Sequence, residues 1–254
     1  MTTCSCPTTS DNSTVSQGFT AGAPNHHPED CDLACRLQRE VLHARGMLEG
    51  IYPAISLFGG ARVRVGSPAY ETARKTARLL AERGVSVITG GGPGIMEAGN
   101  LGCTEAQPPA GITRGVSIGL NIRLPREQCG NSYQDIPLLF NHFASRKVMF
   151  ARNSVGFVAF AGGLGTLDEI TEVLTLMQTK KMPVRPVVLV DRELWTPLVV
   201  WLRKSVAAQG LMSLSDFDLF HVVDTPEEVL RALALDTIPA NLDLAAQKSG
   251  VSPR

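Results

Sequence analysis

VGFVAFAGGLGTLDEITEVLTLMQTK, residues 155–180, places an apolar strand, a glycine-rich turn and a helical pattern in direct succession. The strand portion carries no charged residue, as expected of a strand that is covered on both faces of a sheet. Apolar residues then recur at helical spacing, at Ile170, Val173, Leu174 and Met177, and mark the buried face of a helix. This order is typical of one unit of a parallel α/β sheet.

The same succession recurs along the chain. Further apolar segments that end in turn residues predict strands at AISLFGG (54–60), VSVITGGGPG (85–94), GVSIGLNI (115–122), PLLFN (137–141), RPVVLVD (185–191) and LFHVV (219–223). Helical patterns lie between them, and a lead-in helix is predicted from Leu33 to Leu48. The predicted fold class is therefore α/β, a Rossmann-like doubly wound and mainly parallel sheet of about seven strands with helices on both faces.

Composition divides the chain into a core and two tails. Residues 1–30 are rich in Ser, Thr, Asn, Pro and Gly and have few large apolar side chains, so we predict a disordered N-terminal tail. Residues 31–238 form one predicted nucleotide-binding catalytic domain, since 254 residues with 44% hydrophobic content suffice for one good-sized core. Residues 239–254 are predicted to be a mobile C-terminal tail.

The charge balance restricts the partners. The chain has 24 basic and 24 acidic residues, which argues against a surface built to bind nucleic acid or an anionic membrane. It has no apolar run of the roughly 20 residues needed to span a bilayer and no secretory signal, so we expect a soluble, cytoplasmic protein.

The cysteine spacing fits neither a zinc ribbon nor a redox CxxC pair. We predict free thiols, no metal site and no cofactor. The alternative is a metal cluster of Cys31 and Cys35 with His26, His27 and His43, which lie nearby in the sequence.

Three glycine-rich turns, Gly59–Gly60, Gly90–Gly94 and Gly162–Gly165, follow predicted strands. In an open parallel sheet ligands bind outside the carboxyl ends of the strands, so the three turns should line one crevice. Exposed glycine amides and a following helix start favour phosphate, although glycines also simply make tight turns. The sequence has neither a complete GxGxxG fingerprint nor a GxxxxGK[ST] motif, which leaves a monophosphate as the simplest ligand.

Two side-chain groups beside these turns are candidates for chemistry. If a helix begins after Thr166, then Thr166 and Glu169 form a capping box, and the glutamate serves only the helix start. The other interpretation is a catalytic carboxylate next to the bound phosphate. Arg146 and Lys147 are adjacent on a predicted helix, so at most one of them points squarely into the crevice.

The segments GGGPGIMEAGN (90–100), ASRKVMF (144–150) and AGGLGTLDE (161–169), in this order, resemble the Lonely Guy family, the cytokinin-activating phosphoribohydrolases long labelled "possible lysine decarboxylase". The resemblance runs from about Ile55 to about Val223. It implies a Rossmann-like fold and hydrolysis of the N-glycosidic bond of nucleoside 5′-monophosphates, either N6-modified AMP such as isopentenyl-AMP or AMP itself. The long N-terminal lead and LNIRLPREQCGN (120–131) are more similar to the larger subgroup of that family.

The resemblance also implies residue roles. Glu169 is expected to be the catalytic acid residue, with Arg146 as the second residue tied to activity. Phosphate or nucleotide binding is expected of Gly162, Gly163, Gly165, Thr166, Lys147, Gly59, Gly91, Gly92, Gly94 and Met96. The chain departs from the family pattern at Ala161, where the motif has proline, and at Phe143 and Ala144, where shorter members have Met-His. A homodimer or a higher homo-oligomer is expected.

Two other functions fit the same crevice. One is a non-catalytic nucleotide-binding sensor or scaffold, and the other is a general purine or pyrimidine 5′-monophosphate nucleosidase. An enzyme is favoured because a pure binder has no evident use for an acid beside a phosphate. Pyridoxal phosphate chemistry would need a lysine that forms a Schiff base, and Lys147 is the only lysine in these segments, so we consider the decarboxylase label wrong.

Overall fold

The computed structural model describes residues 28–124 and 130–235. Seven strands are present in this part: β1 (Ala54–Phe58), β2 (Ser86–Thr89), β3 (Ser117–Ile122), β4 (Ile136–Phe140), β5 (Gly156–Ala159), β6 (Val187–Val190) and β7 (Phe220–Val223). The helices are α1 (Pro28–Met47), α2 (Pro68–Ala81), α3 (Ile95–Thr104), α4 (Phe143–Asn153), α5 (Leu164–Gln178), α6 (Arg192–Trp201) and α7 (Pro226–Leu233). A π-helical turn and two 3₁₀ turns connect α6 to β7.

The predicted tails fall almost wholly outside the described residues. Only the stretch from Pro28 to residue 30 is described, and there α1 has already begun, before the predicted start of the domain at residue 31. Among the described helices, none combines the length and the apolar character needed to cross a membrane.

All seven strands lie in one sheet in the order β4-β3-β2-β1-β5-β6-β7, and every neighbouring pair is parallel. The predicted fold class is confirmed. The chain builds outward from β1 to β4 and then crosses back to place β5 on the other side of β1, with Phe58 opposite Ala159. The order of strands therefore reverses between β1 and β5, which is where sheets of this type bind ligands.

Helices cover both faces of the sheet. One apolar core contains side chains from α1, α4, α5 and α6, and the other contains side chains from α2, α3 and α7. The predicted buried face of the helix after β5 is observed, since Ile170, Val173 and Met177 are buried and Leu174 packs against the same core. Burial on both faces explains why the strands are almost uniformly apolar.

Candidate active site

A cleft of about 740 Å³ opens at the carboxyl ends of β1 and β5, at the reversal point of the strand order. This volume lies within the usual range for small-molecule sites. The turns after β1 and β5 form its walls, together with residues from α4 and Gly90 after β2. Its lining includes Gly59, Gly60, Arg62, Gly90, Met96, Phe143, Arg146, Phe150, Gly162, Gly163, Gly165, Thr166, Asp168, Glu169 and Leu194.

Two of the glycine turns are tied to each other. The amide of Gly60 donates a hydrogen bond to the carbonyl of Ala161, with an N to O distance of 2.8 Å. A Cβ atom at Gly60 would lie 3.3 Å from the Cα atom of Gly162, so the backbones are in close contact. Gly94, at a positive φ of 68°, packs even more tightly, because a Cβ there would come within 2.4 Å of the Gly60 carbonyl oxygen.

Helix α5 begins earlier than the sequence predicts. Gly163 is its N-cap, and the carbonyl of Gly163 accepts hydrogen bonds from the amides of Thr166 (3.0 Å) and Leu167 (3.1 Å). The interpretation in which Thr166 caps the helix and forms a capping box with Glu169 is wrong, because the helix starts before Thr166. The extended backbone at Gly163 leads directly into the helix, and the Thr166 side chain instead packs over Gly162 inside the first turn. Glu169 is therefore in the second turn, away from the capping positions.

Glu169 is a buried carboxyl group at the wall of the cleft. The residue is only 7% exposed, and its Oε2 atom has no hydrogen-bond partner in the described part of the chain. Burial raises the pKa of Glu169 to about 7, although the positive charges of Arg146 and Lys147 act in the opposite direction. A carboxyl group with a pKa near neutrality and an unused oxygen is suited to proton transfer or to stabilising a developing positive charge.

Arg146 reaches the same cleft from α4. Its guanidinium group lies over the ring of Phe150 at 5.3 Å and near the ring of Phe143 at 5.9 Å, and its Nε atom is buried without a described partner. Burial lowers the pKa of Arg146, and the neighbouring charge of Glu169 opposes this. Gly90 makes room for the group, because a Cβ atom there would lie 2.5 Å from Nη2 of Arg146.

Lys147 points elsewhere. Its ammonium group is paired with two carboxylates of α5, Asp168 at 2.8 Å and Glu172 at 3.1 Å. Burial lowers the pKa of Lys147, but hydrogen bonds to these two carboxylates outweigh this and raise it. Arg146 lines the cleft and Lys147 does not. The expected nucleotide-binding role of Lys147 stays a prediction.

The other predicted glycines divide into two groups. Gly59, Gly162, Gly163 and Gly165 line the cleft, together with Thr166 and Met96. Gly91 and Gly94 do not line it, and both have positive φ angles. A Cβ atom at Gly91 would lie 2.1 Å from Oδ1 of Asn121, so this glycine is required for packing.

A second cavity, of about 840 Å³, adjoins the cleft and shares Gly90, Met96, Phe143 and Arg146 with it. Gly92 lines this cavity only. Its polar side chains are mostly engaged with the backbone of the turn after β2. Asn131 donates hydrogen bonds to the carbonyls of Gly91 and Gly92, each at 3.0 Å, and Gln134 donates to Gly91 at 3.0 Å. This network holds the second glycine turn in place.

Sequence reasoning did not single out Arg62, Phe150 or Leu194, which also line the cleft. Phe150 and Leu194 are apolar helix residues that only the tertiary structure brings to the cleft. For Arg62 a signal existed, since it follows the Gly59–Gly60 turn directly. Within residues 28–124 and 130–235, no group of three or more His, Cys, Asp and Glu residues could hold a metal ion, and the alternative cluster around His26 and His27 falls partly outside these ranges.

The family model described as "Possible lysine decarboxylase" matches residues 96–233, more than half of the chain. The chain belongs to the possible lysine decarboxylase family. The matched region contains Arg146, the start of α5 and Glu169. Several curated relatives are named as LOG phosphoribohydrolases, so the predicted resemblance to the Lonely Guy family is confirmed.

Three such relatives show how low the sequence identity to this chain is. The probable cytokinin riboside 5′-monophosphate phosphoribohydrolase LOGL5 of Oryza sativa subsp. japonica is 34% identical over 101 residues, which is 40% of this chain and 39% of the relative. LOGL6 of the same species is 25% identical over 194 residues, 76% of this chain and 75% of the relative. The cytokinin riboside 5′-monophosphate phosphoribohydrolase LOG1 of Arabidopsis thaliana is 26% identical over 181 residues, 68% of this chain and 81% of the relative.

Solved structures of similar fold include two described as molybdenum cofactor proteins. The molybdenum cofactor binding protein from Rippkaea orientalis has a TM-score of 0.52 and 23% identity, with 70% of this chain and 93% of that chain covered. The Moco carrier protein from Chlamydomonas reinhardtii has a TM-score of 0.50 and 22% identity, with 77% of this chain and 98% of that chain covered. At these identities the likeness concerns the fold alone.

Proposed function

We propose that the protein hydrolyses the N-glycosidic bond of a nucleoside 5′-monophosphate and releases the free base and ribose 5-phosphate. One observation carries the proposal: the buried carboxyl group of Glu169, whose Oε2 atom has no partner among the described residues, lies in the same cleft as the glycine turn that starts α5. The names of the curated relatives, which are phosphoribohydrolases of cytokinin riboside 5′-monophosphates, support the same reaction.

The start of α5 supplies the phosphate site. The first amides of a helix have no acceptor within the helix, and the helix dipole adds partial positive charge at this end. Gly162, Gly163 and Gly165 leave these amides accessible from the cleft. The buried Thr166 side chain lies beside them. A phosphate held here leaves the ribose to extend along the cleft past the second turn of α5, where Glu169 is located.

Glu169 then acts on the anomeric carbon. Breaking the bond between C1′ and the base nitrogen leaves positive charge on the ribose ring, which a nearby carboxylate stabilises. The oxygen of a water molecule forms the new bond to C1′. One of its protons ends on the released base, and the other stays on the new hydroxyl group. The carboxylate orients this water and accepts its proton during transfer.

Arg146 has a supporting role in this scheme. Its positive charge favours the ionised form of Glu169 and provides donors for the ribose hydroxyls or the phosphate. Its position between Phe143 and Phe150 fixes the guanidinium group with little freedom. The reaction scheme assigns no step to a metal or an organic cofactor.

The natural substrate is proposed to be N6-modified AMP, such as isopentenyl-AMP, or AMP. The second cavity, which adjoins the cleft at Met96 and Arg146, offers room for a substituted base. General 5′-monophosphate nucleosidase activity and nucleotide binding without cleavage are the outcomes that compete with this proposal. Homo-oligomerisation and a cytoplasmic location stay predictions.

The test is to incubate the purified protein with AMP, isopentenyl-AMP and CMP, and to measure release of base and of ribose 5-phosphate. Glu169→Gln is expected to abolish release, and Glu172→Gln, on the same helix outside the cleft lining, is expected to retain it. Tight binding of AMP without products from any monophosphate would instead indicate a binding module. Undiminished products from Glu169→Gln would show that another residue is the catalytic acid.

A further inference from the structure

Four charged side chains line the cleft: Arg62, Arg146, Asp168 and Glu169. Three of them have charged neighbours, because Arg146 and Glu169 influence each other and Asp168 is paired with Lys147. Arg62 differs from these. It is exposed at the cleft wall, and it makes no ion pair within the described residues.

Arg62 sits in a short turn that is fixed against the start of α5. The amide of Val63 bonds the carbonyl of Gly60 at 3.4 Å, so Ala61 and Arg62 are the central residues of this turn. The amide of Gly60 in turn bonds the carbonyl of Ala161 at 2.8 Å, immediately before the Gly162–Thr166 segment. The arginine is thereby held at the cleft wall, in a turn that is attached next to the segment that starts α5.

Without Arg62, the positive charge at the proposed phosphate site is smaller than the negative charge of a phosphate. A phosphate monoester carries close to two negative charges near neutral pH, whereas a helix start supplies only about half a positive charge. Lys147 does not line the cleft, and its ammonium group is paired with Asp168 and Glu172. The positive charge of Arg146 interacts with the buried carboxyl group of Glu169.

We infer that Arg62 binds the 5′-phosphate of the substrate together with the α5 amides. The inference rests on the proposed function for the identity of the ligand, a nucleoside monophosphate. A guanidinium group presents parallel N–H donors that match two phosphate oxygens, which a neutral side chain at this position lacks. Arg62 then selects monophosphates over the corresponding nucleosides.

A second feature of the cleft, unrelated to Arg62, also points to a bound ligand. Glu169 lines the same cavity, is more than nine-tenths buried and has one carboxylate oxygen without a partner in the part of the chain that the structure describes. A buried polar atom without a partner is costly unless a ligand or solvent contacts it. Arg62 is therefore at the mouth of a built site rather than on an open surface.

The experiment measures binding of AMP and of adenosine by calorimetry in the Glu169→Gln background, so that the nucleotide stays intact. Arg62→Gln is expected to weaken AMP binding by about 10- to 100-fold and to leave adenosine binding unchanged, because the two ligands differ only by the phosphate. Arg64→Gln is the matched control, since Arg64 is an exposed arginine of the same loop that does not line the cleft. Arg62→Lys should recover part of the AMP affinity.

Three results would overturn the inference. The first is that Arg62→Gln and Arg64→Gln bind AMP with equal affinity. The second is that Arg62→Gln loses as much affinity for adenosine as for AMP. The third is that the parent binds AMP no more tightly than adenosine. None of these measurements requires cleavage. If AMP is bound but no monophosphate is hydrolysed by the unaltered chain, the proposed function fails while a selective effect of Arg62→Gln still supports the phosphate contact.

Discussion

Glu40 of α1 accepts a hydrogen bond from the backbone amide of Asn141, 3.0 Å away, two residues before α4 begins. The same carboxylate accepts hydrogen bonds from the Asn141 side chain at 2.9 Å and from the hydroxyl of Ser145. Glu40 therefore provides the hydrogen-bond acceptor at the N-terminal end of α4, where the side chain of the N-cap residue, His142, makes no capping hydrogen bond. Because α4 carries Arg146, the lead-in helix is part of the support for the cleft.

The first prediction concerns this contact. Glu40→Gln should lower the free energy of unfolding by about 1–3 kcal/mol, because it removes a charged acceptor and weakens the pairing of its donors, among them the hydroxyl of buried Ser145. Partial burial raises the pKa of Glu40, but hydrogen bonds from Ser145, Asn141 and His142 outweigh this and lower it to about 2. The folded-state pKa lies below the unfolded value near 4.5, so the stabilisation is present above that pH and is lost as the pH falls towards 2.

Urea denaturation at several pH values measures the effect of Glu40→Gln. Glu49→Gln is the control, since Glu49 is exposed just beyond α1. The difference between the Glu40 variant and the parent should shrink as the pH is lowered. A difference that stays constant down to the acid limit would mean that the charge of Glu40 contributes nothing.

The second prediction is that ionisation of Glu169 lowers the free energy of unfolding. Burial raises its pKa from 4.5 to about 7, so the folded state retains a proton that the unfolded chain has already lost. Stability therefore falls as the pH rises from about 4.5 to about 7 and then levels off, with a total loss of about 3 kcal/mol. Glu169→Gln cannot ionise, so it should gain stability relative to the parent over this range while it loses activity. Thermal unfolding of both proteins at about pH 5 and about pH 8 tests this. A difference in stability between Glu169→Gln and the parent that does not widen with pH would contradict it.

The third prediction separates Arg146 from other cations of α4. The positive charge of Arg146 lowers the pKa of Glu169, so Arg146→Gln should raise it further. If the carboxylate is the active form, kcat/KM rises with pH through about 7 in the parent, and the midpoint moves upward by about one pH unit in the variant. Arg152→Gln, near the other end of α4, should leave the midpoint in place. A fall in kcat/KM with an unshifted midpoint would limit Arg146 to contacts with the substrate.

Much of this architecture follows from local patterns, and the exceptions have physical causes. Short apolar segments predict the seven strands, three of them followed directly by glycines, because a parallel sheet must be buried on both faces. The sequence favours a helix start at Thr166, which has the better capping side chain, whereas the helix begins at Leu164. The observed cap uses the backbone of Gly163 instead, and packing against Gly162 decides where Thr166 lies.

Contacts between segments that are distant in the sequence are the other feature that local sequence patterns do not predict. Adjacent Arg146 and Lys147 are equivalent in sequence, but only the docking of α4 against α5 decides that Lys147 meets Asp168 and Glu172. The pairing of Glu40 with Asn141 joins residues about a hundred positions apart, and no periodicity encodes it. Arg62 likewise acquires its place through the bond between Gly60 and Ala161.

The last prediction tests the glycine turn that starts α5. In Gly162→Ala the new Cβ atom would lie 2.0 Å from Oγ1 and 2.6 Å from Cβ of Thr166. Rotation about χ1 cannot relieve a clash with Cβ itself, so the backbone has to shift, at a cost of about 1–3 kcal/mol in unfolding free energy. Binding of AMP should weaken as well, because the same shift moves the amides of the proposed phosphate site.

Gly165→Ala is the matched control for that turn. A Cβ atom at Gly165 meets nothing within 4 Å, and the residue lies in the first turn of α5, where alanine is favoured over glycine by up to about 1 kcal/mol. This variant should therefore be as stable as the parent or more stable in urea denaturation. If Gly162→Ala unfolds at the same urea concentration as Gly165→Ala, the close contact between Gly162 and Thr166 does not constrain the turn, and the account of why α5 begins at Leu164 is wrong.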